Sequence, residues 1–157
     1  MWSRFVYCPQ NYCFLFKGYS RVKTLPLVAI SSLESIAQEA STWIDDDEAK
    51  IYVAIEADTK ESYFCNYQKN NNTLKQILVE TVIQMDELSD LSNQDDCYFA
   101  GTGWPKDTEN HSRFLSQAMG SAAPIAILAK KKLETGKDFL PENANPIYLK
   151  TPNYKKS

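Results

Sequence analysis

Leu25-Pro26-Leu27-Val28-Ala29-Ile30-Ser31-Ser32-Leu33-Glu34 reads as a buried strand running into a capped helix. The apolar run from Pro26 to Ile30 is short and bounded by proline and serine, the pattern of a strand covered on both faces. Ser31 or Ser32 then offers a hydroxyl to the first free N–H groups of a helix. Leu33, Ile36, Ala37 and Ala40 fall on one face at helical spacing. Glu34 sits in the first turn, where the helix dipole favours a carboxylate. The stretch thus reads as one strand and one amphipathic helix.

Downstream, Asp45-Asp46-Asp47-Glu48 is a solvated acidic turn. It lacks the glycine and the alternating spacing of a calcium loop. Lys50 to Glu56 and Glu61 to Tyr67 form a hairpin. Ile51, Val53 and Ile55 alternate with Tyr52, Ala54 and Glu56, and Ala57 to Lys60 make the turn. Asn70-Asn71-Asn72 is a polar loop. Leu78 to Gln84 reads as a strand and Met85 to Leu91 as a short helix. Cys97 to Ala100 is a buried strand ending in Gly101-Thr102-Gly103-Trp104-Pro105. A glycine turn explains this motif better than a phosphate cradle, because the Walker lysine is absent and Pro105 disfavours a helix continuing from Trp104. Ser121 to Leu133 is a helix with Pro124 tolerated in its first turn. Ile125, Leu128, Ala129 and Leu133 carry its periodicity, and Gly136 is its stop signal. Lys130, Lys131 and Lys132 point to different azimuths and read as a solvated face.

The chain has 157 residues, enough for one domain or two small lobes. Its net charge of −3 argues against strong direct binding to nucleic acid, which needs clustered cations. No apolar run approaches the roughly 20 residues needed to span a bilayer. Met1 to Phe16 has one positive charge, Arg4, an apolar run broken by Pro9-Gln10-Asn11 and no small-residue cleavage site after it, a pattern not expected of a signal peptide. A cytoplasmic protein is expected.

The four cysteines are Cys8, Cys13, Cys65 and Cys97, with no CxxC pair, and His111 is the only histidine. A zinc site commonly wants four ligands in close pairs. Cys65 and Cys97 lie in apolar strands and read as small core residues. His111 lies in a polar loop or helix start and reads as a surface residue. Asp58, with Glu56 and Glu61, sits in a hairpin turn where carboxylates are solvated. There is no HExxH pair and no G-x-S-x-G elbow. No catalytic, cofactor-binding or metal-ligating residue is assigned.

The order and spacing of several segments resemble the TsaB family, also described as YeaZ or Gcp-like. Phe16-Lys17-Gly18-Tyr19 is similar to the end of a family helix. Pro26-Leu27-Val28 and Ser31-Ser32-Leu33-Glu34 are similar to its strand and helix cap. Glu56-Ala57-Asp58-Thr59-Lys60 corresponds to its D-A-R turn, with Thr and Lys in place of the family residues. Gly101-Thr102-Gly103-Trp104 resembles its glycine turn. Ala118, Pro124-Ile125-Ala126 and Pro146-Ile147-Tyr148-Leu149 resemble its closing helix and tail.

The resemblance implies an α/β fold: the second lobe of an actin-like, Hsp70-like (ASKHA) fold, a mixed sheet with flanking helices, N-terminally truncated. The family's opening D-T-S-T strand and G-P-G-S-F-T-G-x-R turn are not found. The expected layout is residues 1–15 non-matching, 16–150 TsaB-like, and 151–157 a polar tail. Reading the codons of Trp2 to Gln10 one base later permits G-P-G-S-F-T, so residues 1–15 are expected to be an out-of-frame remnant. The resemblance also implies a non-catalytic partner in forming the threonylcarbamoyl group on the adenosine next to the anticodon of tRNAs. That partner acts through TsaD, which carries the metal and the transfer chemistry, with the ATPase TsaE. The alternatives are a peptidase-like hydrolase and a non-functional gene remnant. Strand edges left open by the missing half are expected to favour a homodimer or aggregation.

Overall fold

Alternating apolar residues along Glu48–Asp58 and Glu61–Asn70 build the centre of the molecule. The computed structural model describes residues 17, 21–22, 25–135, 139–144 and 149. Residues 1–15, Gly18, Tyr19, Gly136, Asn145 to Tyr148 and the 151–157 tail lie outside the described residues. The expectations placed on them, including Cys8 and Cys13, go no further.

The strands are β1 (Glu48–Asp58), β2 (Glu61–Asn70), β3 (Thr73–Gln76), β4 (Thr81–Gln84), β5 (Cys97–Ala100) and β6 (Phe114–Leu115). The helices are α1 (Ser32–Ala40), α2 (Met85–Leu91) and α3 (Ala122–Glu134). The sheet order is β3-β2-β1-β5-β6, with β4 pairing β2 beyond β3. β1 and β2 are antiparallel, with Val53 opposite Cys65. β5 runs parallel to β1, and β6 parallel to β5. The sheet is therefore mixed, as expected, with helices on its flanks.

Both faces of β1 are covered because successive side chains point to opposite sides. Ile51, Val53 and Ile55 meet Cys65, Tyr67 and the apolar face of α1. Ala54 and Phe64 point the other way, into a second core with Leu88 of α2, Cys97, Phe99 and Trp104. Leu33, Ile36, Ala37 and Ala40 are all buried, and the Ser31 hydroxyl accepts the Leu33 N–H at 3.2 Å. The α1 face and its cap are as the sequence predicts. So are the helix at Met85–Leu91 and the strand at Cys97–Ala100.

Three expectations are corrected. Pro26 to Ile30 is not a buried strand: Pro26 and Ala29 are exposed, and among the described residues the segment joins no sheet. The Leu27 N–H bonds the Phe139 carbonyl at 3.0 Å, and the Ala29 carbonyl accepts from the Lys132 ammonium at 3.4 Å. The apolar run predicts burial, but a ladder also needs a free neighbouring strand. The strand read at Leu78 to Gln84 begins only at Thr81, and Ile77, Leu78 and Val79 are 51%, 49% and 83% exposed. In α3, Ile125 and Leu133 are each 42% exposed, whereas Pro124 and Leu128 are buried. The helix leans on α1 through polar contacts instead.

Those contacts absorb two of the three lysines. Lys132 pairs with Glu34 at 2.7 Å, and Lys131 reaches the Gln38 side chain at 3.3 Å. Lys130 stays exposed, 4.0 Å from Glu134. Lys130 and Lys131 are exposed, as the solvated-face reading has it, and Lys132 is half-buried against Glu34. No helix among the described residues is long and apolar enough to cross a membrane.

Candidate functional site

The glycine corner after β5 is tightly constrained. Gly101 has φ +96°, and a Cβ there would lie 2.2 Å from the Ala54 carbonyl oxygen. Only glycine combines that φ with such an approach at little cost. Gly103 donates its N–H to Ala54 at 3.0 Å, and its carbonyl accepts from the buried Ser62 hydroxyl at 2.8 Å. Trp104 Nε1 donates to the Ala100 carbonyl at 2.9 Å. The corner is bolted to β1 and β2 by its own backbone, as the turn reading predicts.

Beside it stands His111. The imidazole lies edge-on to Phe99 at 5.0 Å between centroids, and Nδ1 accepts the Arg113 N–H at 3.1 Å. Nε2 faces the Asp95 carboxylate at 3.6 Å, and the side chain is only 19% exposed. The surface reading of His111 is thus corrected: the ring is a wedge between β5 and the loop into β6. A ring nitrogen that accepts a backbone N–H is occupied, so Nδ1 is not free to take a proton from a substrate.

The thiols are equally closed. Cys65 and Cys97 are fully buried, as expected for small core residues. Burial pushes the Cys97 thiol up to about 11, aided by the Asp96 charge. Burial raises Cys65 too. Neither supplies the thiolate a nucleophile needs near neutral pH. Asp58 accepts the N–H of Thr59 at 2.7 Å in the exposed hairpin turn. In the acidic turn, Asp45 to Glu48 are exposed, and the Lys69 ammonium donates to the backbone carbonyls of Ile44 and Asp46. No group of three or more metal-ligating side chains occurs among the described residues.

Sequence reasoning did not single out Glu39. Its carboxylate gathers the N–H groups of Met119, Gly120 and Ser121 at 2.9, 2.7 and 3.3 Å. It thereby anchors the start of α3, where Ser121 makes no side-chain cap. Burial pushes this carboxyl up, but the bonds from Ser121, Gly120 and Met119 together hold it below the usual carboxylate value. Some 80 residues separate the partners, and no local pattern could have signalled the contact. Glu39→Ala is expected to cost about 1–2 kcal/mol at neutral pH, discounted for partial exposure. A carboxyl held low contributes above its unfolded-state value and loses that contribution as pH falls through its folded-state value. Urea unfolding of wild type and variant should therefore converge as the pH falls through that value. A constant gap down to full protonation would exclude the charged anchor.

A groove of about 230 Å³ runs beside β6, the last strand on that side of the sheet among the described residues, between Trp43, Phe114, Leu115, Ser116 and Gln117. None of these side chains titrates in the neutral range, so the groove offers contact surface but no acid or base.

No family model matches the chain. It is 25% identical over 145 residues to the tRNA threonylcarbamoyladenosine biosynthesis protein TsaB of Escherichia coli (strain K12), covering 85% of this chain. The chain spans 61% of the length of that curated relative. Two solved structures share its fold. One is a Pseudomonas aeruginosa protein described as uncharacterised with similarity to the peptidase YeaZ, at TM-score 0.73 and 22% identity over 90% of this chain and 67% of that one. The other is YeaZ from Pseudomonas aeruginosa, at TM-score 0.73 and 23% identity over 89% of this chain and 67% of that one. The chain is thus similar to TsaB in sequence and to YeaZ in fold.

Proposed function

We propose that the chain is a non-catalytic binding partner in forming the threonylcarbamoyl group on the adenosine next to the anticodon of tRNAs. It acts through a TsaD-like protein, with a TsaE-like ATPase, in the cytoplasm. The observation that carries this reading is the match to E. coli TsaB along most of the chain. The site chemistry supports it. Both described thiols are buried and pushed up, and His111 has Nδ1 committed to the backbone. With a net charge of −3, contact with tRNA is expected to pass through the partner. The TsaB-like unit is residues 16–150, with 1–15 and 151–157 outside it.

The test is capture and complementation. Tagged full chain should retain a TsaD-like protein from lysate. Expressed in cells depleted of TsaB, it should restore threonylcarbamoyladenosine in hydrolysed tRNA, read by mass spectrometry. Failure of both would favour the gene-remnant reading. The printed likeness to a peptidase motivates one control. Proteolysis that disappears in His111→Ala, with melting unchanged, would move the assignment to a hydrolase.

A further inference from the structure

We propose that the groove beside β6 is a docking site for an extended segment of a partner protein, one that carries an apolar side chain flanked by lysine or arginine. The proposal does not rest on the tRNA-modification reading.

Both walls of the groove are preformed. Trp43 makes one of them, in the 3-10 turn Ser41–Trp43 that follows α1. Its neighbours Ala40 and Ile44 are buried. The Ser41 hydroxyl donates to the Gln38 carbonyl and the Thr42 hydroxyl to the Glu39 carbonyl, each at 2.7 Å. The backbone is thus pinned while the indole stays 57% exposed. Phe114 to Gln117 make the other wall. There the Phe114 N–H bonds the His111 carbonyl at 2.9 Å, and the Leu115 carbonyl accepts the Ala118 N–H at 3.1 Å. An exposed tryptophan facing half-buried Phe114 and Leu115 is the make-up of an interface anchor, since a stiff apolar ring gains contact area at little cost in freedom. At about 230 Å³ the space is below the roughly 300–1,000 Å³ of a small-molecule pocket. It suits one or two side chains of an extended chain laid beside the strand.

The rim decides the chemistry of the occupant. Asp45, Asp46, Asp47 and Glu48 come just after Trp43 and are all exposed. The Asp46 carboxylate accepts the Tyr98 hydroxyl at 2.7 Å, and the Arg113 guanidinium lies over the same ring at 5.0 Å. Arg113 leads directly into Phe114, so this contact holds the acidic turn at the end of the groove. Arg113 is engaged by the ring, and Lys69 directs its ammonium onto the Ile44 and Asp46 carbonyls. Among the described residues Asp45, Asp47 and Glu48 have no ion-pair partner. A nucleic acid or an acidic segment would meet like charge here, and a neutral segment would leave the rim unmatched. A basic segment with an apolar anchor matches both the walls and the rim.

The experiment titrates the full chain with a synthetic peptide in which a leucine-valine-leucine run is flanked on each side by a pair of lysines. Calorimetry reads the affinity, and amide and indole NMR shifts read the place. Binding is expected at a Kd of about 10–100 µM in low salt, weakening as salt is added. The shifts should concentrate at Trp43 and at Phe114 to Gln117. Trp43→Ala should weaken binding about tenfold or more. Asp45→Asn/Asp47→Asn should weaken it about tenfold and remove most of the salt dependence. Glu87→Gln/Asp90→Asn removes the same charge from α2 and should leave binding unchanged. All of these side chains are exposed, so thermal melting should stay at the wild-type value and separates lost binding from lost fold. The same peptide with glutamate in place of lysine should not bind. No binding of the lysine peptide at about 1 mM overturns the proposal. So does binding that survives Trp43→Ala, that falls equally in the α2 variant, or that the glutamate peptide matches. Shifts at the same residues on simple dilution would give the groove to another copy of the chain and overturn it too.

Discussion

Gly101→Ala is expected to be among the most damaging single substitutions in this chain, at about 4 kcal/mol. Two costs add at this position. A non-glycine residue at φ +96° is strained by about 1–3 kcal/mol. The new Cβ would also lie 2.2 Å from the Ala54 carbonyl oxygen, and overpacking of this kind costs about 1–3 kcal/mol. The carbonyl cannot step aside cheaply. Ala54 is fully buried in the middle of β1, and its oxygen already holds the Gly103 N–H. Shifting it would disturb the β1–β2 ladder and release the corner that seats Trp104. Gly120 is the natural comparison. Its φ is +81°, but a Cβ there would meet only side chains, Ile36 at 3.2 Å and the Ser35 hydroxyl at 3.7 Å. Gly120→Ala should therefore cost about 1–2 kcal/mol, mostly backbone strain. Domains of this size have about 5–15 kcal/mol in total, so the first variant should lower the urea midpoint severely and the second modestly. Equal losses would mean that the Ala54 contact relaxes freely and that the corner is not rigid.

The same corner shows what was legible in the sequence. Gly101-Thr102-Gly103 after an apolar run announces a turn because glycine has few other uses at a strand end. The hairpin through Thr59 and Lys60 was equally plain, since alternation over several residues has one geometric solution. Those features depend on near neighbours. The departures depend on distant ones. Pro26 to Ile30 has a strand's composition, but pairing requires a second strand beside it, and composition does not say whether one is there. Ile125 and Leu133 look like core because they are apolar at helical spacing. The face that α3 turns inward was decided by Glu34, Gln38 and Glu39 on a helix far away in sequence. His111 read as surface for the same reason: its polar neighbours Asn110 and Ser112 gave no hint that Phe99 would take its ring. With no catalytic residue assigned, the functional reading rests on family resemblance. In the glycine corner, the Gly103 N–H, the Gly103 carbonyl and the Trp104 indole are all bonded within the protein.

Phe99→Ala is the other variant expected to have a large effect, costing about 3–5 kcal/mol. The ring is fully buried and lies at the centre of the second core. Trp104 meets it edge-on at 4.9 Å, His111 at 5.0 Å and Tyr52 at 6.3 Å. Each edge-to-face pair adds about 0.5–1.5 kcal/mol to what burial alone supplies, which places the loss toward the upper end of the range. The cavity cannot collapse from either side. Trp104 is tethered by its indole to the Ala100 carbonyl, and the Phe99 N–H is tied to the Arg113 carbonyl at 3.1 Å. His111 would lose the surface it rests on while keeping its bond from the Arg113 N–H, so β6 should loosen along with the corner. Phe99→Leu fills most of the space but makes no ring contacts and should cost less, about 1.5 kcal/mol. Urea unfolding followed by circular dichroism separates the two. Hydrogen exchange should show lost protection at Phe114 and Leu115 in the alanine variant only. A loss below about 1 kcal/mol for Phe99→Ala would mean that the second core repacks freely. In that case α2 and the glycine corner would hold the sheet without the aromatic cluster.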